Sequence, residues 1–166
     1  MNKNILFIGA NGYMGHGMSQ NLLKENNLFI FANKKRNNIK NLIREGAKEI
    51  KSYDEIINLD LDCLMLCVTN TPIALKIANK VGPLLKSSTL VIDLTTHNKH
   101  GTKEMKNIFD KYKISFVVSP VMGSKNESLK GMLGSIWGGD QSKFNESKIY
   151  LNTFCENIFN FGSVEK

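Results

Sequence analysis

Short, uninterrupted apolar runs alternate along the chain with longer stretches in which apolar residues recur every three or four positions. The first run, "NILFIG" at 4–9, has no polar interruption inside it, as expected of a strand buried on both faces. "GYMGHGMSQNLLKEN" follows, with Met14, Met18, Leu22 and Leu23 on one helical face. "LFIFA" at 28–32 predicts a second strand. Residues 38–45 predict a helix closed by Gly46, and 47–50 a short strand. Ser52 and Glu55 have capping-box spacing, so a helix is expected from Tyr53. "DCLMLCV" at 62–68 is the strongest strand signal. Thr71 and Pro72 then open a helix, where the N–H that proline lacks would have no intrahelical partner. "TLVIDL" at 89–94, a helix over 98–113 and "ISFVVS" at 114–119 continue the series. Beyond Ser119 comes the glycine-rich "PVMGSKNESLKGMLGSIWGGD". A last helix is expected over 141–157, then a short strand at "IFNFG".

Repeated strand–helix alternation implies an α/β domain. The economical architecture is a doubly wound, mostly parallel sheet with right-handed crossovers and helices on both faces. No repeat, low-complexity stretch or linker divides the chain, so residues 1–166 read as one domain.

In such a sheet, ligands bind beyond the carboxyl ends of the strands, and the first strand's turn lies there. That turn is rich in glycine: Gly9, Gly12 and Gly15 in G-x-x-G-x-x-G spacing, one residue longer than the commoner G-x-G-x-x-G. Such glycines allow a tight turn, approach of the main chain to a pyrophosphate, and close packing of helix on strand. The pyrophosphate then meets free N–H groups at the helix N-terminus. This Rossmann-type reading makes Gly9, Asn11, Gly12, Tyr13, Met14 and Gly15 the candidate dinucleotide cradle. A ligand-free strand-to-helix turn would need glycine too, but the trio's place after the first strand favours the dinucleotide.

The second strand points to the cofactor. An acid at its end would hold the 2′-hydroxyl of NAD. This chain instead reads Asn33, Lys34, Lys35, Arg36. Cationic groups attract a 2′-phosphate, so NADP(H) is expected in preference to NAD(H).

Composition narrows the classes. The formal net charge is +7, but the basic residues are spread along the chain, with no aromatic-interleaved patch of the kind that binds nucleic acid. No apolar stretch has the length of a membrane span, and the N-terminus has no signal-peptide pattern, so a cytoplasmic protein is expected. Cys63, Cys67 and Cys155 form no C-x-x-C pair; the first two lie in a strand and read as buried hydrophobes. With His16, His97 and His100 they make no metal-ligand pattern, so no metal is expected.

Four stretches resemble the β-hydroxyacid dehydrogenase family, which includes 3-hydroxyisobutyrate dehydrogenase and the glyoxylate/succinic semialdehyde reductases, with 6-phosphogluconate dehydrogenase more distant. They are "GYMGHGMSQNLLK", "NKKRNNIKNLIREGA", "VIDLTTHN" and "SPVMGSKNESLKGMLGSIWGGD". The resemblance implies a nicotinamide-dependent oxidoreductase. It places Val68 and Thr69 over the cofactor ribose and Thr96 beside the nicotinamide. It gives Met122, Gly123 and Ser124 to a small carboxylate substrate. In this register Asn11 is an insertion, and Met122 replaces a serine common in the family. The family's proton-donating lysine lies in a C-terminal helical domain that also forms dimers. Lys166 follows Gly162 too closely to match it. The expectation is therefore a nucleotide-binding domain without its catalytic lysine; the alternative is a non-catalytic NADP(H)-binding module. Homo-oligomers are compatible with either.

Overall fold

The computed structural model describes residues 2–32 and 36–164, the Arg36 side chain excepted. Its main sheet has six parallel strands: β1 (Asn4–Ile8), β2 (Asn27–Phe31), β3 (Lys48–Glu49), β4 (Cys63–Leu66), β5 (Leu90–Asp93) and β6 (Ser115–Val118). Their spatial order is β3-β2-β1-β4-β5-β6. The chain winds one way from β1 and then the other, so the order reverses between β1 and β4, the place where open α/β sheets bind ligands.

The uninterrupted apolar runs fill both faces at once, because successive side chains alternate. Ile5, Phe7, Cys63, Met65, Leu90 and Ile92 enter one core layer. Leu6, Ile8, Leu64, Leu66 and Val91 enter the other. The first layer is covered by α1 (Gly15–Leu23) and α2 (Lys40–Arg44); the second by α3 (Thr71–Val81) and α4 (Lys99–Lys111). Met18 and Leu22 of α1 are buried as the spacing predicts. Asn70 caps α3 and Asn98 caps α4, each accepting an N–H three residues on.

Two expectations need correction. Residues 53–58 keep the predicted Ser52–Glu55 capping box but form a 3-10 helix of six residues. The helix expected over 141–157 is shorter: α6 is Phe144–Leu151, and Cys155–Asn160 is strand β9. The cause is a second sheet. There β7 (Val121–Met122) pairs antiparallel with β8 (Leu133–Trp137), and β8 pairs parallel with β9. Between β7 and β8 lies α5 (Lys125–Lys130), ended by left-handed Gly131.

The second sheet is anchored where α5 meets α1. Asn21 is buried, and its Nδ2 donates to the carbonyls of Gly17 (3.0 Å), Ser128 (2.9 Å) and Leu129 (3.2 Å). Ser128 Oγ donates to the Met14 carbonyl at 2.7 Å. At Gly17 the helices touch so closely that a methyl group would lie 2.5 Å from Ser128 Oγ and 2.7 Å from Leu129 N. Gly17→Ala should therefore separate α1 from α5 and destabilise the fold by about 1–3 kcal/mol. Urea unfolding measures this, and an unchanged midpoint would contradict the packing described.

Candidate functional site

The glycine turn occupies the switch point. Gly9 has φ +105°, and a side-chain carbon there would overlap the Cys67 carbonyl oxygen just beyond β4. Only glycine relieves both constraints. Gly12 N–H donates to the Gly9 carbonyl at 2.9 Å, closing a tight turn over residues 9–12. Asn11 sits inside that turn. A side chain at Gly15 would strike the Gly9 carbonyl, so α1 starts pressed against the turn. Among the described residues no side chain caps α1, and no acid lies in its first turn. Uncapped N–H groups and the positive end of the helix dipole suit an anion. The glycine cradle and the uncapped helix together fit a dinucleotide's pyrophosphate.

Two clefts flank the turn. One, of about 510 Å³, is lined by Gly9, Asn11, Phe31, Tyr53, Val68 and Thr69, with lysines of α3 at its edge. The Phe31 and Tyr53 rings lie 4.4 Å apart there, an apolar wall suited to a planar base. The other, of about 280 Å³, is lined by Gly12, Tyr13, His16, Asn38, Asn41 and Lys125. Asn38 Nδ2 donates to the Asn11 carbonyl at 3.0 Å, and Lys125 Nζ stands 5.7 Å from the Tyr13 ring centre. Asn33, Lys34 and Lys35 lie outside the described residues, as does the Arg36 side chain; β2 ends ahead of them at Phe31, on the carboxyl edge.

Val68, Thr69 and Thr96 follow β4 and β5. Thr69 and Thr96 are exposed, whereas Thr95 is buried. The two loops are joined: Val68 N–H donates to Thr95 Oγ1 at 3.1 Å, and Thr95 N–H donates to Asp93 Oδ1 at 2.9 Å. Met122, Gly123 and Ser124 form the exposed connection from β7 to α5. Ser124 caps α5 through its hydroxyl, and its N–H donates to Glu127 at 2.6 Å. That N–H already has a carboxylate partner, which leaves the hydroxyl proton as the Ser124 donor. These hydrogen bonds hold Glu127 below the usual carboxylate range. The packing of α5 on α1 brings this loop to the glycine turn, as the shared cleft of Lys125 and Tyr13 shows.

Sequence reasoning passed over Gly17, Asn21, Asp93 and His97. The first two fix one wall of the site. Asp93 and His97 form a buried pair with no flanking signal except the "DLTTH" spacing.

The fold and site define a Rossmann-type dinucleotide domain. The chain belongs to the family described as the NAD binding domain of 6-phosphogluconate dehydrogenase, whose profile matches residues 4–162. It is 27% identical over 98% of its length to a probable mitochondrial 3-hydroxyisobutyrate dehydrogenase of Dictyostelium discoideum, covering 51% of that protein. It is 24% identical over 95% of its length to 2-(hydroxymethyl)glutarate dehydrogenase of Eubacterium barkeri, covering 53% of it. The structure of Mycobacterium tuberculosis 3-hydroxyisobutyrate dehydrogenase with L-serine superposes with a TM-score of 0.91 at 21% identity, over 98% of this chain and 55% of that one. The chain thus spans about half the length of these relatives. It is an NAD(P)-binding domain, similar in sequence and fold to the corresponding part of these dehydrogenases. No helix among the described residues is long and apolar enough to cross a membrane.

Cys67 adjoins the turn in surroundings that disfavour its thiolate. Burial, with a smaller contribution from the Asp93 carboxylate, pushes its thiol up to about 12, and burial alone pushes Cys155 to about 12. Both stay protonated at pH 8, and only thiolate reacts. Ellman's reagent should find no fast thiol in the native protein and three after denaturation. A rapid native reaction at Cys67 would contradict this environment.

Proposed function

We propose that this chain is the NADP(H)-binding domain of an oxidoreductase that interconverts a small hydroxyacid and its aldehyde or keto acid. The observation that carries the reading is the glycine turn at the switch point, with an uncapped helix behind it and exposed Thr69 and Thr96 across from it. When bound, the nicotinamide supplies or accepts the hydride. The chain's own residues hold the cofactor. Gly9, Gly12 and Gly15 shape the pyrophosphate site together with Asn11, Tyr13 and Met14. Val68 and Thr69 border the ribose, and Thr96 the nicotinamide.

The preference for NADP(H) rests on Asn33, Lys34, Lys35 and Arg36, where an acid would repel a 2′-phosphate and these residues favour it. Met122, Gly123 and Ser124 form one wall for a carboxylate substrate. Met122 is half exposed and brings no hydroxyl, so the wall relies on backbone N–H groups and the Ser124 hydroxyl. The proton-donating lysine implied by the family resemblance does not lie within residues 1–166. It comes from a helical domain in further chain or a partner, and a cytoplasmic setting suits both cofactor and substrate. A second reading, a module that binds NADP(H) without turnover, is favoured by the Ser124 N–H being committed to Glu127.

Nicotinamide fluorescence should show NADPH binding at least tenfold tighter than NADH, as expected of one to two charge-assisted contacts of about 1.5 kcal/mol or more. Equal binding would overturn the cofactor preference, and binding of neither below millimolar would overturn the nucleotide site. Glyoxylate and succinic semialdehyde reduction should be absent with residues 1–166 alone. Turnover would show that a proton donor lies within this chain.

A further inference from the structure

His97 stands between two elements that need not otherwise meet. It follows exposed Thr96, yet its side chain is only 1% exposed. Its Nε2 lies 2.8 Å from Oδ2 of fully buried Asp93, at the end of β5. Its Nδ1 lies 2.8 Å from Thr71 Oγ1, in the first turn of α3. Nε2 thus faces a carboxylate oxygen and Nδ1 a hydroxyl, which can either donate or accept, so both ring nitrogens have a partner. The other Asp93 oxygen holds Thr95 N–H, and Thr95 Oγ1 holds Val68 N–H. One buried carboxylate and one imidazole thus tie the loop after β5 to both ends of the loop after β4. Thr71 has little room to shift, because a methyl group on Gly101 of α4 would lie 2.6 Å from its Cγ2.

We propose that His97 is a positioning residue: clamped between Asp93 and Thr71, it fixes the spacing of Val68 and Thr69 from Thr96, and so the opening that receives the nicotinamide half of the cofactor. The proposal rests on the nucleotide reading above. It is narrower, because it concerns one half of the dinucleotide. Loops already held in the bound geometry lose less entropy when ligand arrives.

The test uses NADPH and adenosine 2′,5′-bisphosphate, which carries the phosphate-bearing half and no nicotinamide. Each is titrated against the unaltered chain and against Thr71→Val, His97→Leu and His97→Gln. Thr71→Val and His97→Leu should weaken NADPH about tenfold, the scale of a lost buried hydrogen bond and a loosened loop. The bisphosphate should bind all four proteins alike. His97→Gln, which can still donate to Asp93, should recover part of the loss. Without nucleotide, amides of 68–71 and 95–98 should exchange faster in Thr71→Val than in the unaltered chain. Equal weakening of both ligands, or no weakening of NADPH, overturns the positioning role. Should His97→Leu fail to fold, the near-isosteric Thr71→Val decides the matter. If the unaltered chain binds neither compound, the nucleotide reading falls and this proposal with it; if it binds both and the variants match it, only the proposal falls.

Discussion

The structure depends on one close approach of backbone to backbone. At the carboxyl end of β1 the chain must turn, pass the Cys67 carbonyl beyond β4 and start a helix within a few residues. Gly9 meets the first two demands with a positive φ and no side chain, and Gly15 meets the third by letting α1 lie on the Gly9 carbonyl. Because β1 and β4 are in register from Ile5↔Cys63 to Ile8↔Leu66, the turn's position also sets where the loop after β4 emerges. The uncapped start of α1 and the loop across from it are thus placed by a single steric constraint. The four-residue turn closed by Gly12 N–H holds Asn11 between the contacts of Gly9 and Gly15.

The second sheet is a consequence of the same helix. Gly17 and Asn21 lie on the face of α1 turned to α5, one by omitting a side chain and the other by filling three carbonyls. Without them α5 could not sit flat on α1, and the 122–124 loop would have no fixed relation to the glycine turn. The two helices are joined through buried polar groups, the Asn21 amide and the Ser128 hydroxyl, whose hydrogen bonds to main-chain carbonyls fix both distance and direction.

The main sheet was legible in the sequence because its strands are buried on both faces and its helices on one. Continuous apolar runs and three-to-four spacing report those two environments directly. The cradle glycines were legible for the same reason, their position after the first strand being fixed by the pattern. Of the second sheet, only the end of β9 was, inside the short strand read at 158–162. Leu151, Phe154 and Cys155 fall at helical spacing, yet the chain turns after Leu151 and Cys155 already belongs to β9. Local periodicity cannot show that β8 waits as a pairing partner. In β8 the buried positions are Leu133, Ser135 and Trp137. A buried serine breaks the apolar alternation, and it is tolerated because Ser135 Oγ donates to the Ser119 carbonyl at 3.0 Å.

The Asp93–His97 pair was hidden for a related reason: its chemistry depends on a partner in another element. In sequence His97 is a polar residue at the start of a helix, a position that ordinarily faces solvent. The fold places it under α3, where an unpaired imidazole would be costly, and supplies a carboxylate on one side and a hydroxyl on the other. A residue made expensive by burial and then fully satisfied constrains geometry more tightly than an apolar one of the same size, since its hydrogen bonds fix direction as well as distance. Here that constraint acts on loops the family resemblance places around the cofactor, which links the polar network in the interior to the shape of the site at the surface.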